Sequence, residues 1–243
     1  MESWKDSGRI LRALFLPAIA LLNRISYTGK FTLLWLLSLF AIAVVVQDLF
    51  VNLDRIIQPS QRQLEGLVLI KPISQTVQAI QLHRGLSAAL LGGNQTMRDR
   101  RAAMEMEVAK TLEAMEKKLP AHLASDEDFL RIKADWQQVR KEGLNWNFET
   151  NFTAHTRLIE QLHLFQISVA DEYLLTLDPA INTYYVIDTT VNKLPHALEH
   201  LGQLRAYGAS ILTQKNIGEQ QKVKLNNLID ELGLALHELK RRA

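Results

Sequence analysis

Arg84 and Arg205 have the side chains with the most distinctive potential chemistry, because each lies on a helix face that is otherwise apolar. A guanidinium presents a planar fork of donors that suits a carboxylate or a similar small anion. Two arginines that converge between helices need an anion to neutralise them, and its arrival would favour one packing of the helices over another. The alternative is that both arginines pair with carboxylates such as Asp171, Glu172 or Asp188 and only fix the structure.

Tyr184, Tyr185 and Asp188 form a second candidate cluster. Tyr184 and Asp188 are four residues apart and share a helix face, so a hydroxyl and a carboxylate can line one polar pocket. The alternative is a core tyrosine pair whose hydroxyls lie at its rim. Gly85 and Gly208 follow the two arginines closely and would permit close helix approach, which packing alone explains equally well.

The segment His196-Ala-Leu-Glu199-His200 matches the H-x-x-E-H pattern of a zinc peptidase. Both histidines lie on one helical face, but such short spacings arise by chance and the sequence offers no third ligand. The segment also follows Leu194-Pro195, which is typical of an ordinary first helical turn. We therefore expect neither a metal nor a cofactor, and no catalytic activity.

These candidate residues follow an uncharged run, Phe31 to Gln47, bounded by Lys30 and Asp48. The run lies at the short end of the roughly 17–25 residues that a helix needs to cross a bilayer, and it has no polar stripe. It predicts a transmembrane helix over residues 31–51. A buried helix of a soluble core and a cleaved signal peptide are the alternatives.

Basic residues are concentrated before this run, which predicts a cytoplasmic amino terminus and, in a bacterium, a periplasmic domain from residue 52 onward. They are Lys5, Arg9, Arg12, Arg24 and Lys30. Residues 1–30 would form a cytoplasmic lead-in. Within it, Arg9 to Tyr27 is interpreted either as an amphipathic segment on the inner membrane surface or as a segment with no specific role.

Beyond the apolar run, residues with apolar side chains recur at helical spacing almost throughout. The predicted helices cover about 62–91, 97–119, 126–144, 152–176, 180–213 and 218–243. Gly92-Gly93-Asn94 and Pro120 are expected to end the first two, Asp126 to cap the third, and Asp178-Pro179 to form a turn. The sequence therefore predicts an all-α protein with one transmembrane helix and an antiparallel, four-helix-type bundle.

Overall composition excludes other classes of function. The 28 basic and 26 acidic residues give a net charge of +2, so no global field attracts nucleic acid. The chain has no cysteine, which excludes disulfides, a thiol nucleophile and cysteine-ligated metals.

Two stretches carry a resemblance to a known family: IQLHRGLSAALLGG, which ends at Gly93, and the segment from Leu177 to Ile211. Together with the lead-in LPAIALLNRISYTGKF, they resemble the helical extracytoplasmic sensor region of bacterial methyl-accepting chemotaxis proteins. Some sensor histidine kinases and diguanylate cyclases share that region. More distantly, the element His83-Arg84-Gly-Leu-Ser resembles the arginine-glycine element of nitrate- and nitrite-sensing domains, with His83 at the usual position of a glutamate.

The resemblance implies a sensory input module, not an enzyme, in which arginines from an early and a late helix bind a small anion. It adds His83 to the ligand-binding candidates Arg84, Arg205, Tyr184 and Asp188, and it implies a homodimer in the inner membrane. Such receptors continue to a second span and an output domain, so we expect residues 52–243 to be a sensor domain that is incomplete at its carboxyl end. A ligand-free, membrane-anchored adaptor that contacts a partner receptor is the alternative.

Overall fold

The computed structural model describes residues 16, 20, 23–177, 181–214 and 217–241. It forms two compact units, Met1–Gln58 and Pro59–Ala243, and the division between them lies within one long helix. The described residues are helical apart from short connections, with no strand among them. The prediction of an all-α fold, with an apolar helix near the amino terminus followed by a helical bundle, is confirmed. Most of the predicted amphipathic lead-in and the predicted Asp178-Pro179 turn lie outside the described residues.

Helix α1 spans Tyr27–Leu91 and joins the predicted membrane span and the first predicted helix of the bundle without a break. It contains an 18-residue window with a mean hydropathy of 2.3 and no buried residue, so its length and composition suffice to cross a membrane. Pro59 and Pro72 lie within the helix, which continues through both. It ends, as predicted, at the two glycines that follow Leu91; Gly93 has φ +111°, a conformation that glycine adopts without strain.

The second unit contains the remaining α-helices of the described residues. They are α2 Arg98–Lys118, the short α3 Ala121–Ala124, α4 Glu127–Glu142, α5 Phe148–Glu172, α6 Ile181–Ile187, α7 Leu194–Gln214 and α8 Glu219–Lys240. Asp126 caps α4 as predicted, because its carboxylate accepts a hydrogen bond from the Asp128 backbone N–H. Asn147 caps α5 in the same way through Thr150 N–H, at 2.8 Å.

The main core is built from the inward faces of α1, α2, α4 and α5. Leu158 and Leu162, one turn apart on α5, are fully buried, and Phe129 stacks on Phe165 with ring centroids 5.6 Å apart. Burying one such side chain contributes roughly 1.5–3 kcal/mol, so this core holds α1 and α5 in fixed register. That register determines which polar side chains of the two helices face each other.

A π-helical segment, Asp188–Lys193, connects α6 to α7 inside what the sequence predicts as one continuous helix. Gln166 of α5 binds this segment by donating its Nε2–H to the Val191 carbonyl at 3.0 Å, while its own Oε1 accepts from Ser74 of α1 at 3.2 Å. A smaller core cluster of Ala88, Phe152, Ala206, Tyr207 and Leu228 holds α7 and α8 against α1 and α5.

Candidate functional site

Arg84 of α1 has a fully buried side chain and forms a two-pronged ion pair with Glu199 of α7. Its Nη1 donates to Glu199 Oε1 at 2.5 Å and its Nη2 to Oε2 at 3.1 Å. Nη1 also donates to the Thr156 hydroxyl at 3.0 Å, and the guanidinium lies 5.3 Å from the centroid of the Phe152 ring. One side chain therefore links α1, α5 and α7.

Glu199 accepts two further hydrogen bonds from side-chain amides. Gln81 Nε2 donates to Oε2 and Gln203 Nε2 donates to Oε1, both at 2.9 Å. The carboxylate is thus surrounded by four donors, two from a guanidinium and two from amides. The structure pairs Arg84 with Glu199 and not with Asp171, Glu172 or Asp188, the carboxylates considered from the sequence.

Gly202 provides the close approach between α1 and α7 on which this pair depends. A Cβ atom at this position would lie 3.0 Å from Arg84 Nη2, tighter than side chains normally pack. The glycines singled out from the sequence do not have this role, because a Cβ atom at Gly85 or Gly208 would have no heavy atom within 4 Å. The sequence-based interpretation of Gly85 and Gly208 as close-packing positions is therefore wrong.

A cavity of about 590 Å³ lies beside this ion pair, bounded by α1, α5, the π-helical segment and α7. Its apolar lining consists of Val77, Leu82, Leu194, Pro195, Leu198 and Leu201, and its other lining residues are Ser74, Gln78, Gln81, His163, Gln166, Thr190, Gly202 and Arg205. Arg205 is exposed and lines the cavity, whereas Arg84 is enclosed next to Gly202. The two predicted arginines thus differ in setting. Arg205 lines the cavity itself, whereas Arg84 lies behind the cavity-lining Gly202.

His83 lies beside Arg84 in sequence but belongs to a different contact set. Its Nδ1 is 2.8 Å from Nε2 of His155, whose own Nδ1 is 2.8 Å from the Asn151 carbonyl. Because a carbonyl only accepts, His155 carries its proton on Nδ1 and accepts from His83 Nδ1–H. Burial lowers the pKa of His83 to about 2 and that of His155 to about 4. The neighbouring positive charge of Arg101 adds to both shifts. His83 is therefore a neutral core residue at physiological pH.

His163 of α5 is a cavity residue that sequence reasoning missed. It is buried, and its Nε2 has no hydrogen-bond partner among the described residues. Burial lowers its pKa to about 4, although the charge of Glu199 opposes the shift. His163 is thus a neutral residue of the cavity wall whose Nε2 is itself buried.

Tyr184 and Asp188 line a separate cavity of about 220 Å³. Asp188 Oδ1 accepts from Asn192 Nδ2 at 3.2 Å, and the Tyr184 ring lies 5.5 Å from that of Tyr185. The shared face predicted for Tyr184 and Asp188 is consistent with this common lining. Neither residue lines the cavity beside Arg84.

The H-x-x-E-H segment is used for contacts other than metal ligation. Glu199 binds Arg84, the ring of His196 lies 5.4 Å from that of His163, and His200 Nδ1 is 3.4 Å from Glu231 Oε2. Among the described residues, no group of three or more histidine, aspartate or glutamate side chains is placed to hold a metal ion.

The functional side chains missed from the sequence lie at helical spacing from those that were found. Gly202 and Gln203 lie three and four residues after Glu199, and Gln81 lies three residues before Arg84. A search for polar residues one turn from each arginine would have selected Gln81. Only the relative rotation of α1 and α7 identifies Glu199 as the neighbour of Gln81 and Arg84.

Comparison with known proteins gives a family match over most of the chain. The family of nitrate and nitrite sensing domains matches residues 75–243, which include Arg84, Glu199, Gly202 and Arg205. No curated protein and no solved structure matches. This family is a sensor module of signalling receptors and not a catalytic family. The resemblance seen around Arg84 is thereby confirmed, and the chain belongs to the nitrate and nitrite sensing family.

Proposed function

We propose that this chain is the sensory input part of a bacterial transmembrane receptor and that it binds nitrate or nitrite at the cavity beside Arg84. The family match supports a nitrate- or nitrite-sensing role, and the apolar part of α1 supports a membrane anchor. The basic residues before that segment support a cytoplasmic amino terminus and a periplasmic sensor domain. The receptor to which this sensory part belongs is a methyl-accepting chemotaxis protein that works as a homodimer. A sensor histidine kinase and a diguanylate cyclase are the alternatives.

The observation that carries the proposal is the fully buried Arg84 guanidinium next to a cavity-lining glycine. A buried arginine is costly unless its charge is compensated, so the groups around it accommodate a planar anionic group, which in this structure is the Glu199 carboxylate. Arg205 adds a second positive charge at the same cavity. An anion entering over Gly202 would meet Arg205 on the exposed side and Arg84 on the buried side.

Binding at this position would act on the packing of three helices. Arg84 belongs to α1, its hydroxyl partner Thr156 to α5 and its carboxylate partner Glu199 to α7. An anion that takes over donors from any of these contacts alters the free energy of one helix arrangement relative to another. This is the property that a sensor needs, and it requires no chemical reaction.

The proposal is tested by titrating the full chain, purified in detergent, with sodium nitrate and sodium nitrite and with sodium chloride as a reference. We expect the thermal midpoint to rise with the logarithm of nitrate or nitrite concentration beyond any effect of chloride. Arg205→Gln should weaken binding roughly tenfold or more, because a charged hydrogen bond contributes about 1.5–3 kcal/mol.

Arg100→Gln is the matched control, since Arg100 is exposed on α2 and does not line the cavity. It should leave the titration unchanged. Gly202→Ala should reduce binding by closing the approach to Arg84. If neither nitrate nor nitrite shifts the wild-type midpoint more than chloride does, the proposal is wrong.

A further inference from the structure

We infer that Glu199 is an internal ligand of the anion site, which an incoming anion must displace from Arg84. The inference rests on the proposed function and concerns how the same site is regulated. It assigns to Glu199 the control of the affinity for the anion.

The first argument is the shape of the donor set around Glu199. Four N–H donors reach two oxygens of one planar group, two donors to each oxygen, at 2.5–3.1 Å. The bent O–N–O unit of nitrite, and two of the three oxygens of nitrate, have nearly the same shape as the O–C–O unit of a carboxylate. The donors that hold Glu199 are therefore a receptor for a small planar oxyanion, and a residue of the chain itself fills it.

The second argument is that this donor set borders the cavity. Gln81 and Gly202 both line the cavity, and Gln81 is also a donor to Glu199. Gly202 leaves Arg84 Nη2 without a side chain between it and the cavity. An anion that reaches Gln81 thus already contacts one of the four donors and lies next to a second.

The third argument is that Glu199 can leave by side-chain rotation alone. Its carboxylate is joined to α7 by two methylene groups, and the residue retains 7% exposure. Its departure frees all four donors at once, because each of them binds the same carboxylate. The apparent affinity for an external anion is then the intrinsic affinity multiplied by the fraction of time for which Arg84 is free of Glu199.

The test compares wild type with Glu199→Gln by calorimetric titration of the full chain in detergent, using nitrite, nitrate and formate as probes. Removal of the competing charge should tighten binding of these planar anions by about tenfold or more. Glu199→Asp, which keeps the charge but is one methylene shorter, should also tighten binding and serves if the glutamine variant does not fold. Glu113→Gln removes an exposed carboxylate from α2 and should leave all affinities unchanged.

Each outcome decides between the two ideas. Tighter binding by Glu199→Gln or Glu199→Asp than by wild type supports the internal ligand. If a variant binds and wild type does not, the internal ligand is still supported and only the proposed function is overturned. Equal or weaker binding by both variants, with clear binding by wild type, overturns the internal ligand and leaves the proposed function standing. Absence of binding in wild type and in both variants overturns both.

Discussion

Replacing both members of the buried ion pair should be far less harmful than replacing either one. Arg84→Met removes the guanidinium and leaves the Glu199 carboxylate, 7% exposed, with only amide donors from Gln81 and Gln203. Glu199→Leu leaves a fully buried guanidinium whose remaining partner is the Thr156 hydroxyl. The double variant contains neither buried charge.

The magnitude follows from the cost of a buried charge without its partner. Breaking such a pair costs about 3–5 kcal/mol of unfolding free energy, whereas apolar residues of similar volume at both positions are often neutral or stabilising. Two unit charges about 4 Å apart attract by about 4 kcal/mol at an effective dielectric constant of about 20, which agrees with that range. We therefore expect each single variant to lose about 3–5 kcal/mol and the double variant to lie within about 2 kcal/mol of wild type.

The assay is denaturant unfolding of wild type, both single variants and the double variant in one detergent, followed by circular dichroism. Tryptophan fluorescence, to which the buried Trp136 contributes, provides a second probe of the same transition. An exposed pair on α2, Glu113 and Lys117, supplies a control cycle in which no appreciable coupling is expected. Additive losses at Arg84 and Glu199 would mean that the two side chains do not pair in solution and would refute the reasoning.

Two other predictions concern the stability of the bundle. The folded-state pKa of His155 lies at about 4, below the 6.5 of an unperturbed histidine, so the unfolded chain binds the additional proton between these values. The unfolding free energy should be highest above about pH 7, and the contribution of His155 alone should lower it by about 3 kcal/mol as the pH drops to about 4. His155→Gln should flatten a plot of unfolding free energy against pH. An unchanged slope in that variant would contradict the assignment. Asn147→Ala should cost about 1 kcal/mol by removing the cap bond to Thr150, as measured by denaturant unfolding, whereas Asn145→Ala, in the preceding turn, should cost much less.

The sequence predicts the helices well because their signals are local. Hydrophobic periodicity depends on neighbours within two turns, and the carboxyl end of α1 and the cap of α4 are indicated by Gly93 and Asp126. Arg84 can also be identified from the sequence, because an arginine on an apolar helix face needs a compensating group wherever that face is buried. These inferences require no knowledge of how the helices pack.

The partners of Arg84 could not be obtained in this way. Glu199 is 115 residues away in the chain, and its selection depends on the rotation of α7 about its own axis. That rotation is altered by the π-helical segment, which has more residues per turn than an α-helix and carries no sequence signal that we recognise. A helical wheel drawn from Tyr184 to Arg205 therefore misplaces the second half relative to the first.

The same π-helical segment has a consequence for how the chain tolerates changes in length. A π-turn is equivalent to one residue inserted into an α-helix, so deletion of a single residue within Asp188–Lys193 can restore regular α-helical hydrogen bonding. Such a deletion rotates Ile181–Ile187 by about 100° and shifts it by about 1.5 Å relative to α7. Glu199 and Gly202 lie beyond the segment and keep their positions opposite Arg84. Insertions and deletions there can therefore remodel the cavity lined by Tyr184 while the ion pair is inherited unchanged.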